Sequence, residues 1–531
     1  MNPRKTFLTV LSLAFLLFPL YYSPAMAQQD FGEVAFANSG PPAAQADFLR
    51  GLALLHNFEY EDAADSFRNA QKLAPDFAMA YWGEAMTQSH PVWHEEDVAA
   101  AREVLKRLGP TPEARLAKAP TEREKLYLRS VEVLFGDGTK EERDLRYEAA
   151  LAEVHRKFPD DVDGAAFYAL SILGTAEQGR DFATYMRAAA VLEEVFPQHP
   201  RHPGVVHYLI HCYDDSVHAP LGLRPARIYS KIAPEADHAQ HMTSHIFLAL
   251  GMWDEEIAAN ENAMAVVNRD RHKMGNPPAM CGHYNEWLEY GYLQKGRVED
   301  ARRILNGCRK SAEEAAAALA DPKNPRHSQM SDSMMSGMSL AMMLVSSYTG
   351  MRTHFLITTH LWNDDAASWK IPPGDFPFPE LDFEYADTLA AIGRGDHAAA
   401  RDAFSHAEKT APQVTAWLDQ MKMNMPAMTE TVTITIEQLH AALTAADGKP
   451  ADAVKELQHT AAREDALPLE FGPPNIEKPS DEMLGELLLQ LHRPAEARTA
   501  FQAALARNPG RKLAVEGLAR AERENAVAAS K

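Results

Sequence analysis

The sequence predicts an all-α protein in which repeated helix pairs stack into a right-handed superhelical solenoid. A pattern of small residues, an aromatic and a proline recurs at fixed spacing in three places, and alanine-rich amphipathic segments lie between them. One short segment, TETVTITIEQL, has strand-like composition, and we expect its helical surroundings to override it. A repeat array also accounts for 531 residues without several independent domains.

The spacing of small and aromatic residues defines the repeat. The same offsets recur from Gly485 to Pro509, and four of them recur from Ala400 to Pro412. This spacing resembles the tetratricopeptide repeat, a helix–turn–helix unit of ~34 residues. Small residues let the two helices approach closely, the aromatic fills the gap, and proline ends the second helix. In the first unit, repeat positions 8, 20, 24, 27 and 32 are Gly51, Ala63, Phe67, Ala70 and Pro75.

Degenerate units fill the middle of the chain. Glycine, alanine, tryptophan and proline alone set their registers, and the first positions of three units then fall at Pro203, Asp237 and Gly282. Proline-rich segments at SWKIPPGDFPFPE and LPLEFGPPNIEKPS predict loops or unit boundaries.

The N-terminal residues predict a secretory signal peptide. Arg4 and Lys5 precede an apolar run, which ends at the small-x-small sequence of residues 25–27. The alternative is an uncleaved anchor, but the run is shorter than the ~20 residues of a membrane span. We therefore expect an exported, periplasmic or extracellular protein without membrane insertion after cleavage. The predicted parts are the signal peptide 1–27, N-terminal repeats 28–110, central degenerate repeats with a histidine-rich inner face 111–365, C-terminal repeats 366–525 and a tail 526–531.

Charge and cysteine content limit the possible partners and cross-links. Without Arg4 and Lys5, 51 basic residues stand against 74 acidic residues, a net charge of −23. This balance argues against nucleic acid and anionic membrane surfaces as partners. The three cysteines, Cys212, Cys281 and Cys308, leave one disulfide with one free thiol possible.

Two histidine pairs are the strongest candidates for chemistry. His207 and His211, and likewise His241 and His245, are four residues apart, so each pair shares one helix face. In the predicted registers both pairs occupy positions 5 and 9 of a first helix. The repeat resemblance implies that these positions, with position 2, face the inner concave surface. The complete set of candidate metal ligands is His207, His211, His238, His241, His245, His283 and Glu286.

Three interpretations of this inner face stay open. Imidazole suits a divalent transition metal such as zinc, copper or iron, and an open coordination position would permit water activation or oxygen chemistry. The face could instead form a groove for a protein, peptide or small ligand, or a buried hydrogen-bond network. The sequence assigns no catalytic residue and leaves the oligomeric state open. The further groove residues would be His56, Trp82, His90 and Tyr290.

Longer segments resemble a more specific family. FRNAQKLAPDFAMAYWGEAMTQSHPVW, HYLIHCYDD, HMTSHIFLALGMWDEEIAANE and FGPPNIEKPSDEMLGELLL resemble long tetratricopeptide-repeat proteins that include exported bacterial members and the animal tetratricopeptide repeat protein 38. The resemblance covers nearly all of the mature chain. It implies an all-α repeat fold and no particular reaction. The leading functional prediction is an exported binding or scaffold protein with a protein or peptide partner. The alternative is a metalloprotein or a metal-dependent enzyme with the histidine cluster as ligands.

Overall fold

A computed structural model describes most of the chain, and the predicted signal peptide lies outside the described residues. The described residues are 30–176, 179–321, 323, 339–372, 376–420 and 426–529. None of the described helices combines the length and apolar character that a membrane span requires.

Helices form nearly all of the regular structure in the first part of the chain. A two-residue antiparallel ladder between α3 and α4 pairs β1 (Ser89–His90) with β2 (Glu95–Glu96). The helices are α1 (Pro42–His56), α2 (Tyr60–Leu73), α3 (Ala78–Met86), α4 (Val98–Leu108), α5 (Pro112–Leu116), α6 (Glu122–Leu134), α7 (Lys140–Lys157) and α8 (Val162–Gly174).

The central helices continue the same alternation of neighbours, and they carry the histidines. They are α9 (Phe182–Val195), α10 (Pro203–Tyr213), α11 (Ala219–Ile232), α12 (Asp237–Ala249), α13 (Trp253–Lys273), α14 (His283–Gln294), α15 (Val298–Leu319) and α16 (Leu340–Thr359).

The strand-like segment TETVTITIEQL is helical, as expected, because it lies within the helix Pro426–Ala446. The C-terminal helices are α17 (Phe378–Gly393), α18 (His397–Gln420), α19 (Pro426–Ala446), α20 (Pro450–Asp465), α21 (Ser480–Gln490), α22 (Pro494–Arg507) and α23 (Lys512–Ala529).

The chain is an all-α repeat solenoid, as predicted. Consecutive helices pack against each other along almost the whole chain, as in α1–α2, α12–α13 and α21–α22. Alternate helices also touch, since α10 contacts both α8 and α12, and α14 contacts α16. The first helices of successive pairs therefore form one layer of the solenoid. Three of the predicted registers are confirmed, because α10 begins at Pro203, α12 at Asp237 and α14 directly after Gly282.

Glycines at the repeat positions make room for the aromatic of each unit. A Cβ atom on Gly485 would lie 2.8 Å from the Phe501 ring, and one on Gly517 would lie 2.3 Å from it. In the first unit, a Cβ atom on Gly51 would lie 2.9 Å from the Phe67 ring, and one on Gly83 would lie 2.4 Å from it. Because a Cβ atom cannot approach a ring so closely, glycine at these positions lets the helices of adjacent units pack on one aromatic.

Replacing Phe501 with alanine should strongly destabilise the C-terminal helices. Phe501 is fully buried, and loss of a buried phenylalanine costs about 3–5 kcal/mol. We expect amide hydrogen exchange in α21–α23 to accelerate by the factor that corresponds to this loss of stability. Val515→Ala, at a position with 44% exposure, is the matched control and should change exchange little. Equal effects of the two substitutions would contradict this packing.

The C-terminal end of the solenoid folds back onto its middle. The Trp253 indole donates a hydrogen bond to the Gly510 carbonyl over 2.8 Å, and Arg511 donates to the Tyr290 hydroxyl over 2.9 Å. In the loop between α20 and α21, Phe471 stacks on His245 with ring centroids 5.0 Å apart. The histidine-bearing layer is therefore covered by chain from the C-terminal repeats.

Two of the three cysteines are joined. Cys281, just before α14, forms a disulfide with Cys308 of α15, and Cys212 is a buried free thiol. This is the arrangement of one bridge and one free thiol that the sequence left possible. The bridge fixes the segment that leads into His283.

Candidate metal centre

Six histidines from three consecutive first helices form two neighbouring groups. We name His207, His211 and His238 triad A, and His241, His245 and His283 triad B. Within each triad, one ring nitrogen from every histidine lies within 4.8 Å of the other two. Each triad combines a pair from one helix with one histidine from the next helix. The repeat geometry therefore builds the same arrangement twice.

Local sequence explains how each helix presents its histidines. Pro203 occupies the first turn of α10, and the His202 side chain caps that helix by accepting from the Val205 amide. Gly282 has a φ of +114°, which lets the backbone turn into α14 immediately before His283. The spacing of four residues then places both members of each pair on the same face.

In each pair, the Nδ1 atoms face oxygen acceptors. His207 Nδ1 lies 2.7 Å from the His56 carbonyl oxygen. His241 Nδ1 lies 2.7 Å from Asn260 Oδ1, and His245 Nδ1 lies 2.9 Å from Asp214 Oδ2. An oxygen acceptor of this kind fixes the proton on Nδ1. The Nε2 atoms of these three residues consequently carry lone pairs.

Those lone pairs point at one another. In triad B, His241 Nε2 lies 3.2 Å from His245 Nε2 and 3.1 Å from His283 Nε2. Both His241 and His245 carry their proton on Nδ1, so no hydrogen bond can form between their Nε2 atoms. In triad A, His207 Nε2 lies 3.2 Å from His238 Nε2, and His211 Nε2 has no hydrogen-bond partner among the described residues. His238 and His283 can each donate from Nε2 to one neighbouring lone pair, but the Nε2 atoms of His241 and His245 bring two lone pairs together.

Burial keeps the imidazoles neutral. It lowers the pKa of His241 well below its ordinary value, and the neighbouring His283 and His245 lower it further. Burial also lowers the pKa values of His207 and His238. The pKa of His283 falls to about 3 for the same reason. Neutral imidazole is the form that binds metal ions.

Asp214 connects the two triads. Its Oδ2 atom contacts His245 Nδ1 of triad B, and it also lies 3.5 Å from His211 Nδ1 of triad A. Arg180 pairs with the other oxygen of Asp214 and with Asp215. Burial alone would raise the pKa of Asp214, but Arg180 and the two histidines outweigh it and hold this pKa well below its usual range. Asp214 is thus an ionised acceptor that orients one histidine of each triad.

The substitution Asp214→Asn should weaken metal binding by both triads. Loss of an outer-sphere carboxylate partner of a histidine ligand typically costs about 10–100-fold in metal affinity. Competition with a chromophoric chelator measures the affinity. Asp163→Asn is the matched control. It also removes a buried carboxylate that is held between two histidines, but Asp163 contacts none of the triad residues. It should lower stability and leave metal affinity unchanged, and an equal loss of affinity in both variants would contradict the role of Asp214.

Aromatic side chains surround both triads. Trp287 stacks on His245 with ring centroids 4.6 Å apart, and Tyr284 stacks on His241 at 4.5 Å. Phe58 meets His207 edge-on at 4.3 Å. Five of the six histidines are buried, and His283 is intermediate. The site is therefore lined by aromatic rings, and His283 is its least buried member.

A third histidine group has a different character. Asp163 Oδ1 accepts from His56 Nε2 over 3.0 Å and from His202 Nε2 over 3.1 Å. The remaining nitrogens are also paired, His56 Nδ1 with the Tyr208 hydroxyl and His202 Nδ1 with the Val205 amide. Every ring nitrogen has a hydrogen-bond partner, so this group is a buried structural network.

Glu286 does not join either triad. It lies one turn beyond His283 on α14, where its carboxylate approaches Gly350 of α16 rather than the histidines. Burial raises its pKa to about 7, partly countered by His354. Three residues along a helix turn its side chain about 60° away from His283, so Glu286 lies outside both triads and its role as a ligand stays a prediction.

The residues predicted to extend an open groove are mostly buried. His56 belongs to the structural network, Trp82 packs against Phe36 and Tyr127, and Tyr290 is held by Arg511. His90 is partly exposed and stacks on Tyr60 with ring centroids 4.0 Å apart. His56, Trp82 and Tyr290 are thus buried in packing or hydrogen-bond contacts, and the groove of these four residues stays a prediction.

Sequence reasoning missed the residues that orient the histidines. Asp214 follows His211 by three residues in HYLIHCYDD, a spacing that places it near the end of the same helix. Asn260 lies on α13 and Arg180 precedes α9, so their contacts depend on packing between repeats. The Asp214–Asp215 pair after His211 was the one available local signal.

Comparison with known proteins adds only a distant structural likeness. No protein-family model and no curated protein matches the sequence. Similar solved structures include yeast Tom70, with 12% identity over 91% of this chain and 96% of that chain and a TM-score of 0.34. Human IFIT1 with m7Gppp-AAAA has 14% identity over 93% of this chain and 92% of that chain, with a TM-score of 0.34. The P58(IPK) TPR domain has 14% identity over 92% of this chain and 100% of that chain, with a TM-score of 0.22. Scores this low support no functional inference. The helix pairs themselves define a TPR-like solenoid, an architecture of protein-binding scaffolds.

Proposed function

We propose that this protein is a metal-binding repeat solenoid that holds one transition-metal ion in triad A and one in triad B. The observation that carries the proposal is the orientation of the rings. Nδ1 of His207, His241 and His245 faces an oxygen acceptor, and Nε2 faces the other histidines of the triad. Metal-binding histidines use this arrangement, in which the second nitrogen donates to an acceptor and fixes the ring.

The distances between nitrogens support this proposal. Two nitrogens bound to one ion at about 2.0–2.1 Å with tetrahedral geometry lie about 3.3 Å apart. The Nε2–Nε2 distances of 3.1 and 3.2 Å in triad B are close to this value. Three imidazole ligands leave a fourth position open, as in catalytic rather than structural sites. Zinc, copper, iron and nickel all accept such ligands.

Elemental analysis tests the proposal directly. Protein is purified without a histidine tag, reconstituted in turn with zinc, copper, iron and nickel, and washed with a weak chelator. It should retain about two ions per chain, one for each triad, of at least one of these metals. His397→Ala, at an exposed position on α18, is the control for binding by surface histidines and should retain the same content. Substoichiometric content of all of these metals would overturn the proposal.

A protein partner is the second candidate function, and exposed apolar side chains rather than the histidines would contact it. Phe182, Val217 and Leu221 are 43%, 58% and 53% exposed, and Phe182 packs on His218, next to Val217. Exposed apolar groups of this kind mark interaction sites. Photo-crosslinking from position 221 in cells tests this candidate, with position 397 as the control. A partner captured only from position 221 supports it, and capture from neither or from both contradicts it.

We further propose that the protein is an exported relative of tetratricopeptide repeat protein 38. The support is the charged and apolar sequence of residues 1–27 and the four segments that resemble that family. The Cys281–Cys308 disulfide fits an oxidising compartment. Mass spectrometry of the protein from its native cells should find an N-terminus at Gln28. An intact N-terminus in the cytoplasmic fraction would contradict export.

A further inference from the structure

The two triads lie close enough to act together. Across the triads, the ring centroids of His211 and His245 are 5.8 Å apart and those of His238 and His241 are 6.2 Å apart. Within the triads, the ring centroids of His207 and His211 are 4.9 Å apart, and those of His241 and His245 are 5.1 Å apart. Asp214 touches one histidine of each. Ions in both triads would therefore be neighbours and share one outer-sphere carboxylate.

The charge balance of the site limits which ions fit. All six imidazoles are neutral ligands, and the carboxylate beside them, Asp214, is already paired with Arg180. Two divalent ions would place four positive charges among buried aromatic rings, which is costly without anionic ligands. Two copper(I) ions carry half that charge. In its oxidised form, copper(II), copper also binds nitrogen ligands more tightly than the other divalent metals of the first transition row do.

The ligand that joins the ions must be small. Trp287, Tyr284 and Phe471 pack directly on the histidines of triad B, and Phe58 and Trp93 pack on those of triad A. With these rings packed on the imidazoles, we expect only a small molecule to bridge the two ions. His283 is the least buried of the six ligands, so a diatomic molecule would approach from its side.

We propose that triads A and B hold a pair of copper ions that binds dioxygen between them, an inference that rests on the proposed metal binding. Each copper(I) ion gives one electron, so that dioxygen is reduced to bound peroxide and both ions become copper(II). The bond between the oxygen atoms stays intact, no proton is consumed, and dioxygen is the oxidant. The open position of each ion takes one oxygen atom.

Anaerobic loading with copper(I), followed by addition of dioxygen, tests this inference. The wild-type protein should take up one dioxygen molecule for every two bound copper ions. The copper(II) pair formed should give little electron paramagnetic resonance signal for its copper content, because closely bridged copper(II) ions couple magnetically. His283→Ala breaks one triad at its least buried ligand. Loaded with copper(I), this variant should take up no dioxygen as peroxide, and loaded with copper(II), its remaining ion should give the full signal for one unpaired electron.

The outcomes separate the two proposals. Failure to retain any copper or other metal would overturn metal binding itself. Retention of two copper ions with a full resonance signal in the wild type, or with no dioxygen uptake, would overturn the paired centre and leave metal binding intact. Retention of zinc but not copper would likewise overturn the copper pair alone.

Discussion

Replacing His241 with alanine is expected to reduce the metal content of the protein from about two ions per chain to about one. His241 Nε2 lies nearest to both other ligands of triad B, so its loss removes the central ligand. Loss of even an outer-sphere partner costs about 10–100-fold in affinity, so loss of a direct ligand should cost more than about 100-fold. Elemental analysis and chelator competition measure the change.

A second variant separates ligand loss from misfolding. His241 is fully buried, so its replacement also leaves a cavity. His283 is partly exposed, and His283→Ala should lose the same ion with a smaller effect on thermal unfolding. His397→Ala should change neither the metal content nor the thermal unfolding of the protein. If both triad variants kept two ions, triad B would not be a metal site.

Acid is expected to destabilise the metal-free protein strongly between pH 6.5 and pH 4. Burial lowers the pKa of His56 from 6.5 to about 4, although the hydrogen bond that His56 donates to Asp163 acts in the opposite direction. In this window the unfolded chain binds a proton at this position and the folded chain does not. The free energy of unfolding therefore falls as the pH falls, by about 1.4 kcal/mol per pH unit for this histidine alone. The lowered pKa values of His207, His238 and His241 act in the same direction.

Urea unfolding of chelator-treated protein at several pH values measures this effect. The loss should level off below the pKa of the folded state, where both states are protonated. His56→Gln removes the titrating group and should reduce the slope by about 1.4 kcal/mol per pH unit. Stability that is constant from pH 6.5 to pH 4 would show that these histidines are not buried in the neutral form.

The repeat pattern predicted the architecture because its signals are local. Gly51 and Phe67 mark a helix–helix contact within one unit, and their spacing is enough to set a register. The same reasoning placed the start of α10 at Pro203 and that of α12 at Asp237, where the structure has them. His207, His211, His241 and His245 consequently fall on adjacent first helices, and the structure brings them together.

The division into two triads depends on contacts that no local pattern encodes. His238 turns toward His207 of the preceding repeat, whereas His241, one turn later, turns toward His283 of the following repeat. The cover over the site comes from Phe471, more than two hundred residues further along the chain. These contacts depend on packing between repeats and with the C-terminal chain, so the sequence indicated one histidine face where the structure has two buried groups.

Anomalous X-ray diffraction from crystals of the metal-loaded protein tests the central claim most directly. Data collected at the absorption edge of the bound metal should show two peaks, one among the Nε2 atoms of His207, His211 and His238 and one among those of His241, His245 and His283. Each peak should lie about 2.0–2.1 Å from three nitrogens. Triads without peaks in a crystal grown from fully reconstituted protein, with the rings rotated to hydrogen-bond one another, would contradict it.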